Sequence, residues 1–282
     1  MENRKVYLLL CFLLICLVFF VNLARSESHF VLVHTAGHGA WCWYKLVPLL
    51  RSSGHNVTAL DLAASGINPK HVLDVPSISD YFRPLTELMA SLPQHEKVII
   101  IGHSYGGLAI SHAMERFPEK ISVAVFITAL MPGPYTNFSI FFQETVRSEG
   151  DYLDTRISYD NGPKNPPTSY TLGSKYMSEK LYQLSPIEDW TLATTLVRPL
   201  YAYTTEDFSR GLTLSVDNYG SISRVFIMTD KDKVRQKYFQ RWMIKHNRPD
   251  EVKLIKGSDN MVMMSKPKEL LVQLLSIAEK YS

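Results

Sequence analysis

The stretch from Val98 to Phe117 constrains this chain more than any other. Val98-Ile99-Ile100-Ile101 is a short β-branched apolar run, the pattern of a strand buried on both faces. Gly102-His103-Ser104-Tyr105-Gly106-Gly107 follows. Leu108, Ala109, Ala113, Met114 and Phe117 then recur at helical spacing, and Pro118 stops the helix. A G-x-S-x-G turn between a strand and a helix is a nucleophile elbow. The turn strains the serine backbone, and glycines two residues to either side avoid clashes with the neighbouring strand and helix. Ser104 Oγ is thereby lifted clear of the sheet, and the helix N-terminus is aimed at any anion formed there. G-x-S-x-G alone also fits a glycine-rich turn with an incidental serine, but the strand before and the helix after argue against it.

The flanking segments fit one large α/β unit. A chain of 282 residues with 46% hydrophobic content is long enough for a single large core. Phe30–Val33 reads as a strand, and His34-Thr35-Ala36-Gly37-His38-Gly39 as the loop leaving it. Trp41–Arg51 reads as an amphipathic helix, Val57–Leu60 as a strand and Ile78–Ser91 as a helix. Val123–Ile127, Arg224–Met228 and Glu251–Ile255 read as further strands, and a leucine-striped helix ends the chain. Strands alternating with helices imply βαβ units and a mostly parallel sheet with helices on both faces. From about Met131 to Ser223 the alternation stops. Prolines and aromatics crowd this insert, among them Phe141, Tyr182 and Trp190. It reads as a helical cap over Ser104 or as a second small core.

Residues 1–26 read as a secretory signal: Arg4 and Lys5, an apolar run from Val6 to Val21, then small residues at Ala24-Arg25-Ser26. The mature domain would then span 27–282, in a secreted or endomembrane location with no stable membrane association. An uncleaved anchor is the alternative, although the run is short for a span. Removing that piece lowers the formal charge from +3 to +1 and leaves no basic patch for nucleic acid. Of three cysteines only Cys42 would remain, so no internal disulfide is expected. No metal, nucleotide or other cofactor motif is present. Asn56 and Asn137 open glycosylation sequons; Asn137 is expected in a loop, Asn56 at a crowded strand mouth.

Long motifs carry a resemblance: His29-Phe30-Val31-Leu32-Val33-His34, Gly39-Ala40-Trp41, Val57 to Gly66, Gly102-His103-Ser104, Lys180-Leu181-Tyr182-Gln183 and Phe239-Gln240-Arg241-Trp242. Through them the chain resembles the plant methylesterase and hydroxynitrile lyase family of α/β-hydrolases from His29 to Ser282. The resemblance implies an eight-strand-type α/β-hydrolase fold with a cap at about 131–223. It implies hydrolysis of methyl esters of small plant signals such as salicylate, jasmonate and indole-acetate, or cyanohydrin cleavage in a lyase branch. The implied partner is a small ester or carboxylate, and a homodimer is left open. The implied oxyanion donors are the N–H groups of Ala36 and Tyr105, with Thr35, His34, Tyr182 and Trp190 near the substrate. The acid following the Arg224–Met228 strand is Asp230 or Asp232 by position, and Asp232 by resemblance.

One position breaks the pattern. The triad runs serine, acid, histidine in chain order, yet the last loop reads Gly257-Ser258-Asp259-Asn260-Met261, and no histidine follows His246. Asn260 stands where the family has its base. An amide cannot take the Ser104 proton at neutral pH. The expectation is an impaired or inactive esterase, unless His34, His38 or His103 substitutes as base. A non-catalytic small-ligand-binding protein, or a product with no selected role, is the alternative. Thr35 stands where esterases of the family show glycine and lyases threonine. The lysine that lyases carry after the histidine is replaced by Met261, which disfavours lyase chemistry.

Overall fold

The computed structural model describes residues 27–282, so the apolar N-terminal segment lies outside the described residues. The strands β1 (His29–Val33), β2 (Asn56–Leu60), β3 (Val98–His103) and β4 (Ile121–Ile127) come first. The insert contributes β5 (Arg156–Ser158), β6 (Ser169–Thr171) and β7 (Leu200–Tyr201), and β8 (Arg224–Thr229) and β9 (Glu251–Ile255) follow. The main sheet has six strands in the order β2-β1-β3-β4-β8-β9, every neighbouring pair parallel. This corrects the expectation of eight: no further strand joins the main sheet among the described residues. It is nonetheless the α/β-hydrolase arrangement.

Alternation along the strands explains why the sheet sits in the middle. Val31 and Val33, Val98 and Ile100, and Ala124 and Phe126 bury into one core. Phe30 and Leu32, Ile99 and Ile101, and Val123, Val125 and Ile127 bury into the other. Successive residues of a strand point to opposite faces, so a run apolar at every position needs helices on both sides. The helices Ile78–Ser91 and Gly106–Arg116 cover the first face. The last helix, Pro267–Tyr281, covers the second with Leu270, Leu274 and Ile277. The expected helix at 41–51 is broken: Ala40–Trp43 is a 3-10 turn, and the α-helix starts only at Leu46.

Between β4 and β8 the insert is mixed rather than helical. It holds the helices Phe138–Glu149, Ile187–Leu196 and Thr205–Gly211 and the antiparallel sheet β5-β6-β7. Proline breaks the sequence too often for periodicity to show strands of two or three residues. The insert's aromatics divide between the two cores: Phe141 and Phe208 join the first, Tyr176 and Tyr182 the second.

Candidate active site

Ser104, Asp232 and Asn260 all follow the carboxyl ends of main-sheet strands. Parallel sheets gather their sites there, because every loop leaving a strand emerges on the same edge. Ser104 has φ 49°, in the left-handed region. Its N–H donates to Ile127 O at 3.2 Å and its carbonyl accepts from Leu130 N at 2.8 Å, so the end of β4 pins the strained turn. The glycines are forced by close approach. A Cβ on Gly106 would lie 2.6 Å from the Val33 and His34 carbonyl oxygens, and one on Gly107 2.1 Å from Leu130 O.

The two aspartates of the acid loop differ in their contacts. Asp230 Oδ1 accepts from Gly257 N. Asp232 is buried and takes four hydrogen bonds: Oδ1 from Val234 N at 2.7 Å and Arg235 N at 2.8 Å, Oδ2 from Thr128 Oγ1 at 2.5 Å and Asn260 Nδ2 at 2.8 Å. Burial raises its carboxyl pKa, and the donors from Thr128, Asn260, Arg235 and Val234 offset part of the rise. The Asn260 amide thus occupies the place from which an imidazole Nδ1–H would donate to the acid. Its Oδ1 is buried without a hydrogen-bond partner. An amide oxygen can accept a proton's hydrogen bond but cannot take the proton.

The three histidines near the elbow bond to other groups. His34 Nδ1 contacts Thr35 O at 2.7 Å, and its Nε2 accepts from Leu62 N at 3.0 Å. His38 Nδ1 contacts Ala36 O at 2.9 Å and its Nε2 lies 2.7 Å from Tyr182 Oη. Both rings have spent both nitrogens. His103 bonds the Asn260 carbonyl through Nε2 at 2.9 Å, and its buried Nδ1 has no partner. Burial lowers all three pKa values, to about 4 for His38 and about 3 for His103.

A cavity of about 470 Å³ lies between the elbow and the insert. Thr35, Ala36, Ser104 and Tyr105 line one part. Phe142, Tyr176, Tyr203 and Phe208 from the insert line much of the rest. The cap reading therefore describes this wall, but Phe141, Tyr182 and Trp190 are not on it. His34, Tyr182 and Trp190, expected near substrate, serve the scaffold instead: Tyr182 pairs with His38, and Trp190 Nε1 faces Ser174 O at 3.4 Å. Tyr105 N–H donates to Thr35 Oγ1 at 3.3 Å. Both residues line the cavity, and the threonine hydroxyl accepts this bond while keeping its own proton to donate. Periodicity could have found one missed surface: Phe142, Thr145, Val146 and Glu149 share a helical face, and all four line the cavity.

Of the two sequons, Asn137 lies in a loop as expected, at the point where it enters a helix, whereas Asn56 departs from expectation. Asn137 is the N-cap of the helix Phe138–Glu149, its Oδ1 accepting from Ile140 N at 3.2 Å, and Asn56 is exposed rather than crowded.

A six-stranded parallel sheet with a serine elbow, an acid after the penultimate strand and an inserted cap defines the α/β-hydrolase class, and the alpha/beta hydrolase family model matches residues 30–274. The chain belongs to that family, among the plant methylesterases. It is 53% identical over 259 residues to methyl jasmonate esterase 1 of Vitis vinifera, covering 92% of this chain and 99% of that protein. Tomato methylketone synthase I, solved in complex with 2-tridecanone, shares 57% identity at a TM-score of 0.88 over 91% of this chain and all of that one. Polyneuridine aldehyde esterase of Rauvolfia serpentina is 43% identical over 258 residues, covering 91% of this chain and 97% of that protein; its crystal structure superposes with a TM-score of 0.85.

Proposed function

We propose that this chain holds a small-molecule ester or carboxylate between the Ser104 elbow and the insert, and hydrolyses methyl esters only very slowly. Asn260 carries the reading, since its amide satisfies Asp232 as an imidazole would but supplies no base. In ester hydrolysis Ser104 Oγ attacks the carbonyl carbon, and its proton must pass to a base and then to the departing methanol. Water then cleaves the acyl-serine, and the base must work a second time. Here the nucleophile, the acid and the oxyanion loop are present, and the proton carrier is absent. Loss of a triad base costs on the order of a million-fold in turnover, and the oxyanion hole with substrate binding retains roughly a thousand- to ten-thousand-fold over water. The methyl esters of jasmonate, salicylate and indole-acetate are the candidate substrates, jasmonate being supported by the grape relative's name.

The second reading is a binding protein that turns nothing over. The enclosure of the Asn260 side chain, which does not line the cavity, favours it. In that case the ligands of the tomato structures, the keto acid β-ketoheptanoate and the long-chain ketone 2-tridecanone, support a cavity for such aliphatic chains. We further propose that residues 1–26 direct export and are removed.

The test is a parallel assay of wild type, Asn260→His, and Asn260→His with Ser104→Ala on the three methyl esters. The histidine variant is expected to gain orders of magnitude, and the added Ser104→Ala to abolish the gain. Brisk wild-type turnover would overturn the reading of Asn260. A folded but silent histidine variant would favour the binding protein.

A further inference from the structure

Loading an acyl group onto a serine and releasing it again make different demands on a site. Each step expels an oxygen anion from a tetrahedral intermediate, and the acidity of the departing alcohol decides how much help it needs. Methoxide, or the Ser104 alkoxide itself, is about as basic as hydroxide, whose parent water has a pKa of about 15.7. An aryl oxide resembles tyrosinate, whose phenol has a pKa of about 10. The aryl oxide can therefore depart unprotonated at neutral pH. The alkoxides must be handed a proton as they go.

The cavity meets the first demand and not the second. Ser104 lines it, its backbone N–H and carbonyl are both bonded, and none of the described residues bonds its hydroxyl. Thr35 and Ala36 of the oxyanion loop line the same end, and the helix Gly106–Arg116 opens two residues after the serine. Among the described residues that line the cavity there is no histidine, and the one carboxylate is Glu149. Both its oxygens already accept, Oε1 from Arg235 Nη1 and Oε2 from Tyr152 Oη at 2.7 Å.

We propose that Ser104 is a single-turnover acyl acceptor, which takes the acyl group of an aryl or enol ester of an apolar acid and keeps it as a stable acyl-serine. The bond from Ser104 Oγ to the carbonyl carbon forms, the bond from that carbon to the aryl or enol oxygen breaks, and the serine proton ends on the released phenol or enol. Positioning and the oxyanion loop speed the attack, the part of catalysis that outlasts loss of a triad base. Hydrolysis of the acyl-serine has to deprotonate the attacking water and protonate the Ser104 alkoxide, which an amide at position 260 cannot do. The acyl chain stays in the cavity, against Phe142, Leu172, Leu200 and Phe208. The activity is thus covalent capture rather than hydrolysis. It rests on the reading that Asn260 supplies no base.

The test incubates wild type, Ser104→Ala and Asn260→His with 4-nitrophenyl hexanoate and, separately, with methyl hexanoate at pH 7. Absorbance follows nitrophenol, and intact and peptide mass spectrometry follow the adduct. Wild type is expected to release about one equivalent of nitrophenol and stop, with one hexanoyl group on the Ser104 peptide and none from the methyl ester. After removal of excess ester, the adduct should be lost at least ~1000-fold more slowly than Asn260→His turns over. The wild-type stoichiometry and adduct lifetime decide the matter even if Asn260→His fails to fold. Release that continues past one equivalent and needs Ser104 would overturn both the capture and the reading of Asn260. No adduct on wild type would overturn the capture, and if Asn260→His then hydrolyses both esters the reading of Asn260 stands. Equal labelling by the two esters, or a label that survives Ser104→Ala, would also overturn the capture.

Discussion

At the scale of the residue, the proposed function turns on Asn260. Its Nδ2 donates to Asp232 Oδ2, and its backbone carbonyl accepts from His103. Position 260 is thus tied at both ends, which is why a histidine placed there should find its orientation ready-made. Asn260→Asp tests the same contact without changing size. It replaces the donor by a second carboxylate beside a buried one, and two such groups cannot both ionise comfortably. We expect a loss of about 3 kcal/mol at pH 7, read from urea unfolding. The pair would share a proton, raising one folded-state pKa above its unfolded value. The folded state then binds the extra proton, so the deficit should shrink as pH falls through that raised pKa. An unchanged midpoint at pH 7 would mean that the amide contributes nothing to holding Asp232.

At the scale of elements, the elbow works because three backbones crowd one turn. The helix Gly106–Arg116 approaches β1 at Gly106 and the segment after β4 at Gly107, closely enough that a methyl group meets a carbonyl oxygen in both places. No rotamer change relieves a clash with backbone. Gly107→Ala should therefore cost about 3 kcal/mol. Gly220→Ala, where the nearest atom to a new Cβ is 3.5 Å away, should change stability by about half a kcal/mol or less. Denaturation midpoints of the two variants side by side check this, and equal midpoints would refute the close-packing account of the elbow. The cap obeys a similar logic at one remove. Phe208 stacks on Phe142 at 4.3 Å and meets Tyr105 edge-on at 5.9 Å, so the cap touches the residue after the nucleophile directly.

Across the whole molecule, the buried imidazoles set the response to acid. His34, His38 and His103 are wholly enclosed, and burial lowers each pKa from 6.5. Above pH 6.5 both folded and unfolded chains keep these rings neutral. Below it the unfolded chain takes up protons that the folded chain refuses, so stability falls with falling pH. Each ring contributes about 1.4 kcal/mol per pH unit, and three together about 4, once titration is well under way. The loss continues until the folded pKa values near 4 and 3 are reached. Asp232 and Asp259, both raised mainly by burial, act in the opposite sense, gaining stability as pH falls through their own raised values. Unfolding midpoints at pH 7.5, 6 and 5 should therefore decline with acid; a flat or rising series would contradict neutral buried rings.

Local pattern determined the strands, the elbow and the order of nucleophile, acid and missing base. Buried strands are apolar at every position, and a tight turn between a strand and a helix demands glycine wherever backbones touch, so both are written in consecutive residues. The same holds for Asn260, because chain order alone places it in the loop after the last strand. The tertiary structure decided what depends on residues far apart in sequence. It brought Asp232, not Asp230, to the Asn260 amide across 28 positions. It took His34 and His38 out of contention by giving both their nitrogens other partners, and it moved Tyr182 and Trp190 from the substrate wall into the scaffold. It also brought Glu149 to Arg235, a pairing across 86 positions that no period or motif announces. Such contacts arise only when separate elements pack, and packing is set by the whole core rather than by any window of the chain.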